Sequence, residues 1–91
     1  MRYVQIIVEG KVQGVFFRKH TYDTAMRLEL KGFVCNRVDG SVYIEAGGNT
    51  DQVQQLIEWC NKGPRKANVS SVHVKEIAQI VYQEFKIRGN Q

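Results

Sequence analysis

No apolar run in these 91 residues approaches the ~20 that a membrane-spanning helix needs. The N-terminus passes straight into strand-like alternation, so no secretory leader is expected and the cytoplasm is the expected compartment. Cysteine is scarce. Cys35 and Cys60 stand alone, without the CxxC or Cys/His spacing of a zinc site, and free thiols are expected. No serine or cysteine has a recognisable histidine partner, and no two carboxylates share a useful spacing. Charge is also thin: the net value is +4, with basic residues scattered from Arg2 to Arg88 and no block of one sign. An excess this small does not demand a nucleic acid and fits an anionic small molecule equally well. Repeats, linkers and low-complexity segments are absent. What remains is 43% hydrophobic and 24% charged, the composition of one soluble globular domain over residues 1–91.

The most informative stretch is Gly10-Lys11-Val12-Gln13-Gly14-Val15-Phe16-Phe17-Arg18. It lies between a predicted strand, Tyr3 to Glu9, and a predicted helix, Arg18 to Leu30. Glycine allows a sharp bend and a close backbone approach, and the unpaired N–H groups that open a helix attract anions. Arg18 adds a planar fork of donors suited to phosphate oxygens.

Along the chain, Val4, Ile6 and Val8 alternate on the first strand. Tyr22, Ala25, Met26 and Leu28 sit at helical spacing, with Gly32 as the expected stop. Phe33 to Val38 reads as a second strand, Asp39-Gly40 as a hairpin turn, and Ser41 to Ala46 as a third strand with Val42, Ile44 and Ala46 on one face. Gly47-Gly48 is expected to break that strand. Asn49 to Gln52 has the spacing of a capping box, and Val53, Leu56, Ile57 and Cys60 form one apolar helical stripe ended by Gly63-Pro64. A fourth strand falls within Val69 to Ile77, with Val72 and Val74 pointing inward. Ala78 to Gln83 is ambiguous, and Phe85 to Arg88 is a short last strand.

This β-α-β-β-α-β order predicts an α+β, ferredoxin-like sandwich: an antiparallel sheet, two helices on one face and a short extra C-terminal strand. A right-handed crossover makes the first two strands parallel with the third between them. The glycine loop and Asn36, near the end of the second strand, therefore meet at one end of the sheet. Backbone N–H groups, a guanidinium and a carboxamide hold a phosphate and orient a water, but supply neither a strong base nor a general acid. Such a site hydrolyses only a bond whose leaving group departs unprotonated. An acyl phosphate qualifies, because a carboxylate is a weak base; a phosphate monoester does not.

The loop resembles the first signature of the acylphosphatases, G-x-V-Q-G-V-x-F-R. Gly32-Phe33-Val34-Cys35-Asn36, Gly40, Val42 and Gly48 resemble their second, G-aromatic-V-x-N-x3-G-x-V-x5-G. Gly63-Pro64, Ala67, Val69, Val72 and Phe85-Lys86-Ile87-Arg88 follow the family's pattern as well, so the likeness spans nearly the whole chain. It implies hydrolysis of a small-molecule acyl phosphate to a carboxylate and inorganic phosphate, without metal or cofactor, with phosphate as product and competitive inhibitor. By residue, Arg18 binds the phosphoryl group together with the amides of Gly14, Val15, Phe16, Phe17 and Arg18, and Asn36 positions the attacking water. A monomer is expected, with neither nucleic acid nor membrane as partner. One departure is Cys35, where the family carries a basic or polar residue. Alternation puts this thiol on the open face of the sheet, exposed and oxidisable, and away from Cys60.

Other residues have plainer readings. His20 is a solvated helix residue and His73 lacks a partner in sequence; Lys19 is a solvated lysine near the phosphate. Trp59, Phe33 and Tyr43 pack, Asp39 serves the hairpin turn, and Thr21 supports the loop by hydrogen bonding. RNA-recognition domains share the element order, and Lys31-Gly32-Phe33 opens like their RNP1 motif, but Val34 and Cys35 then depart from it. The nearer alternative is a non-catalytic, phosphate- or carbamoyl-phosphate-binding or regulatory domain of the same fold, like the N-terminal domain of hydrogenase-maturation carbamoyltransferases.

Overall fold

Alternating valines and isoleucines make the first strand a two-faced ribbon, and the rest of the chain packs against one of those faces. A computed structural model of the protein describes residues 1–79 and 81–90. Ile80, inside the ambiguous Ala78–Gln83 stretch, and Gln91 lie outside the described residues. The elements are β1 (Arg2–Lys11), α1 (Phe17–Arg27), β2 (Lys31–Asn36), β3 (Val42–Gly48), α2 (Thr50–Lys62), β4 (Asn68–Glu76) and β5 (Phe85–Ile87). The sheet order is β4-β1-β3-β2-β5. β3 pairs antiparallel with both β1 and β2, so β1 and β2 run parallel with their C-terminal ends at one edge of the sandwich. The sheet is mixed rather than antiparallel throughout, because β5 pairs parallel to β2. The chain after β4 crosses to the far edge before β5 begins.

The predicted inward faces are correct for β1 and β3. Val4, Ile6, Val8, Val42, Ile44 and Ala46 are all fully buried, against Val53, Leu56 and Cys60 of α2. Asn49 caps α2 with its side chain, which accepts from the Asp51 N–H at 3.0 Å. On β4, Val72 packs against the core, whereas Val74, on the same edge strand, is exposed.

Three details of the elements differ from the sequence reading. First, α1 ends before Leu30, and its buried face is Phe17, Thr21, Thr24 and Ala25 rather than Met26, which is exposed. The helix stops in a Schellman arrangement: Leu30 N–H donates to Ala25 O at 2.9 Å and Glu29 N–H to Met26 O at 3.1 Å, with Glu29 in the left-handed position that usually holds glycine. Second, Gly32 is therefore no helix stop. It lies inside β2 at φ 142°, where a Cβ would sit 1.9 Å from the Glu45 carbonyl oxygen of β3. Gly32→Ala should lower the unfolding free energy by at least ~2 kcal/mol through strain and forced strand separation. Urea melts read this as a lower midpoint at unchanged slope; a parent-like midpoint would show that the β2–β3 pair yields easily. Third, Gly47 and Gly48 do not break β3 but pair with Tyr3 and Arg2. Gly47 leaves room for the Tyr3 ring, whose Cδ1 would lie 2.4 Å from a Cβ there.

The other face of the sheet carries a second cluster, Phe33, Cys35 and Tyr43, flanked by Ile7 and Tyr82. Arg37 lies over the Tyr43 ring at 4.2 Å and Arg88 over Phe33 at 3.9 Å. Cys35 is on the expected face but is fully buried rather than exposed, because these rings and guanidinium groups roof it. Burial raises its thiol pKa, and pushes that of Cys60 in the main core up to about 12. Ellman's reagent should accordingly find fewer than one reactive thiol in the native protein and two after denaturation. Rapid reaction of one native thiol would mean that the roof opens.

Candidate active site

The loop between β1 and α1 is held by what it buries on either side of the bend. Val12 and Val15 are in the main core, and so is Phe17, whose ring centroid lies 5.2 Å from that of Trp59 on α2. Gly14 turns the backbone at φ 74°. Phe16 then takes the N-cap position of α1, itself left-handed at φ 64°, and no side chain caps the helix. Among the described residues, the N–H groups of Gly14 through Arg18 donate to no backbone acceptor, while His20 N–H already bonds to Phe16 O at 3.1 Å. The dipole of an 11-residue helix leaves that end positive.

A cavity of about 340 Å³ opens over this loop. Gly14, Phe16, Phe17 and Arg18 line one side, and Asn36, at the last position of β2, lines the other. The topology thus brings together the two residues singled out in the sequence. Val15, the remaining loop residue named there, turns its side chain into the core and does not line the cavity. Asn36 is 8% exposed, and its Oδ1 is buried with no hydrogen-bond partner among the described residues. A buried amide oxygen left unpaired costs about 1–3 kcal/mol, so such groups are rare without a functional reason.

Two residues missed in the sequence fix this geometry. Gln13 Nε2 donates to Arg37 O at 2.7 Å and to Ser41 O at 2.9 Å, tying the loop to the β2–β3 turn just beyond Asn36. Arg88 offers its carbonyl to Arg18 Nη1 at 3.1 Å, while its own N–H donates to Val34 O at 2.8 Å. A signal for Gln13 was present, since it stands inside the loop motif. Arg88 stood in the closing stretch that follows the family's pattern, but nothing there pointed to its contribution, a backbone carbonyl that any residue carries.

The remaining candidates take their places around this frame. Lys19 lines the cavity and pairs with Asp23 at 3.1 Å on the exposed side of α1. Thr21 is buried and donates to Phe17 O at 2.8 Å, securing the junction of loop and helix. Asp39 accepts from Ser41 N–H at 2.9 Å and from Ser41 Oγ at 2.6 Å inside the hairpin turn. These bonds lower its carboxyl pKa. His20 is exposed, and His73 pairs with Glu9 at 3.1 Å on the exposed face of β1 and β4; neither lines the cavity.

Fold and site together define a ferredoxin-like α+β protein with a cavity, lined by Arg18 and Asn36, over the loop between its first strand and first helix. A family model described as Acylphosphatase matches residues 4–87. The chain belongs to the acylphosphatase family. Acylphosphatase of Pasteurella multocida (strain Pm70) is 47% identical over 85 residues, covering 92% of this chain and 94% of that protein. The structure of an acylphosphatase from Coxiella burnetii is similar with a TM-score of 0.93 at 40% identity, over 96% of this chain and 92% of its own. Full-length HypF, in a phosphate- and nucleotide-bound form, matches 98% of this chain with 12% of its own, at a TM-score of 0.92 and 31% identity.

Proposed function

We propose that this acylphosphatase hydrolyses its acyl phosphate by in-line attack of a water that Asn36 positions on a phosphoryl group held by Arg18 and the Gly14–Arg18 amides. The observation that carries this reading is the buried, unpartnered Asn36 Oδ1 in the same cavity as the Arg18 guanidinium. A purely anion-binding pocket has no use for a buried acceptor beside its donors. A water bound there donates a hydrogen bond to Oδ1, keeping that proton on its own oxygen, and turns its lone pair toward phosphorus. The new P–O bond forms as the bond from phosphorus to the acyl oxygen breaks, and the electron pair leaves with the carboxylate. The water's second proton passes to a non-bridging phosphate oxygen, giving carboxylate and dihydrogen phosphate.

Charge spreads over the phosphoryl oxygens in a loose transition state, so donors fixed around them account for most of the acceleration. Arg88 O takes one guanidinium proton of Arg18 and sets the plane of the fork, which leaves its other donors for phosphate. The carboxylate departs without protonation, and the reaction requires neither metal nor cofactor. Residues 1–91 act as one domain and as a cytoplasmic monomer, on a small molecule rather than on nucleic acid or membrane.

Protein stripped with EDTA should hydrolyse benzoyl phosphate at the rate of untreated protein, with inorganic phosphate as a competitive inhibitor. Light scattering should give the mass of a monomer. Competitive binding of phosphate without turnover by folded protein would sink the enzymatic mechanism. It would leave the non-catalytic binding domain, the reading suggested by the small share of HypF that this fold occupies.

A further inference from the structure

Phe16 is the one large residue of the loop that folding does not explain. Its neighbours Val15 and Phe17 are buried, but Phe16 is 68% exposed, so its ring gains little from the core. Its backbone is left-handed at φ 64°, a conformation unfavourable for a bulky residue and easy for glycine or asparagine. It also occupies a variable position of the loop motif. Ile87 of β5 is the second exposed apolar residue on the same cavity, at 45% exposure. Single exposed apolar side chains are ordinary on a protein surface. Two of them bordering the cavity that holds Arg18 and Asn36 are placed where a substrate's remaining part must emerge.

From this we infer that Phe16 and Ile87 form an apolar rim that receives the acyl group and selects acyl phosphates with an aromatic or bulky aliphatic body over small ones such as acetyl phosphate. The inference rests on the acyl phosphate reading above. With the phosphoryl group seated on the loop donors, the acyl carbon is one bridging oxygen away and its substituent extends toward the cavity mouth. Apolar surface removed from water there favours the larger acyl group by roughly the transfer free energy of the carbons covered. Lys19, the remaining charged residue bordering the cavity besides Arg18, is already engaged by Asp23 and so draws a charged acyl group less strongly.

The test is the ratio of kcat/KM for benzoyl phosphate to that for acetyl phosphate, which cancels effects common to both substrates. Phe16→Asn removes the ring while keeping a residue that accepts the left-handed backbone, and should lower the ratio about 10-fold. Ile87→Thr should lower it about 3-fold, and Phe16→Tyr, which keeps a ring, should stay within twofold of the parent. Ratios within twofold of the parent in both Phe16→Asn and Ile87→Thr would overturn the rim. Should Phe16→Asn fail to fold, Ile87→Thr decides alone by the same criterion. A folded parent that turns over neither substrate would instead remove the hydrolytic reading on which the rim depends.

Discussion

Replacing Arg18 by glutamine should lower kcat/KM for benzoyl phosphate by ~10³-fold or more, a transition-state loss of about 4 kcal/mol. Three effects add in the same direction. The positive charge that offsets the phosphoryl oxygens is removed; the planar fork that can hold two of those oxygens is removed; and the bond from Nη1 to Arg88 O, which orients the fork, is lost. Because substrate and transition state both carry the phosphoryl charge, KM should rise while kcat falls, and the inhibition constant for phosphate should rise with KM. Arg18→Lys tests the geometry separately. It restores the charge but not the fork, and a single ammonium cannot serve Arg88 O and two phosphate oxygens in the same plane. It should recover only a small part of the loss. Folding should be little affected, since the side chain is only half-buried and makes a single bond within the protein. Parent-like rates in Arg18→Gln would remove the arginine from the mechanism.

The parts of this molecule legible in sequence are those set by local periodicity. Alternation fixes which residues of β1 and β3 face the core, the stripe from Val53 to Cys60 fixes the buried side of α2, and Asp39-Gly40 fixes the hairpin. From these alone the topology brings the glycine loop to Asn36. What sequence conceals depends on how side chains and strands pack against one another once the chain is folded. Cys35 reads as exposed because strand alternation reports which face a residue occupies, not what covers that face; its roof comes from Phe33, Tyr43, Arg37 and Arg88. Gly32 resembles a helix stop until β3 is placed beside it, when its missing Cβ proves to be room for the Glu45 carbonyl. The end of α1 at Arg27 is invisible for the opposite reason: a Schellman turn held by Leu30 and Ala25 forces a left-handed position on Glu29, a residue with no preference for it. In the site, side chains chosen for their chemistry could be found by reading. The carbonyls that orient them could not.

Asn36→Ala separates function from stability most sharply. Catalysis should fall by ~10²–10³-fold in kcat, because the water loses the acceptor that turns its lone pair toward phosphorus. The phosphoryl group should still bind: Arg18 and the loop amides are untouched, so KM and the inhibition constant for phosphate should stay within about threefold of the parent. Stability should move the other way or hardly at all. A buried Oδ1 without a partner contributes an unmet desolvation cost of about 1–3 kcal/mol, and removing it offsets the packing lost with the amide group. The unfolding free energy of Asn36→Ala should therefore match or exceed that of the parent in urea melts. This combination distinguishes the mechanism from a structural role. An asparagine that merely braced the end of β2 would lose stability and activity together, and phosphate affinity with them. One that holds the nucleophile is kept at a cost to the fold, and its loss leaves a sound protein that grips phosphate and turns over little.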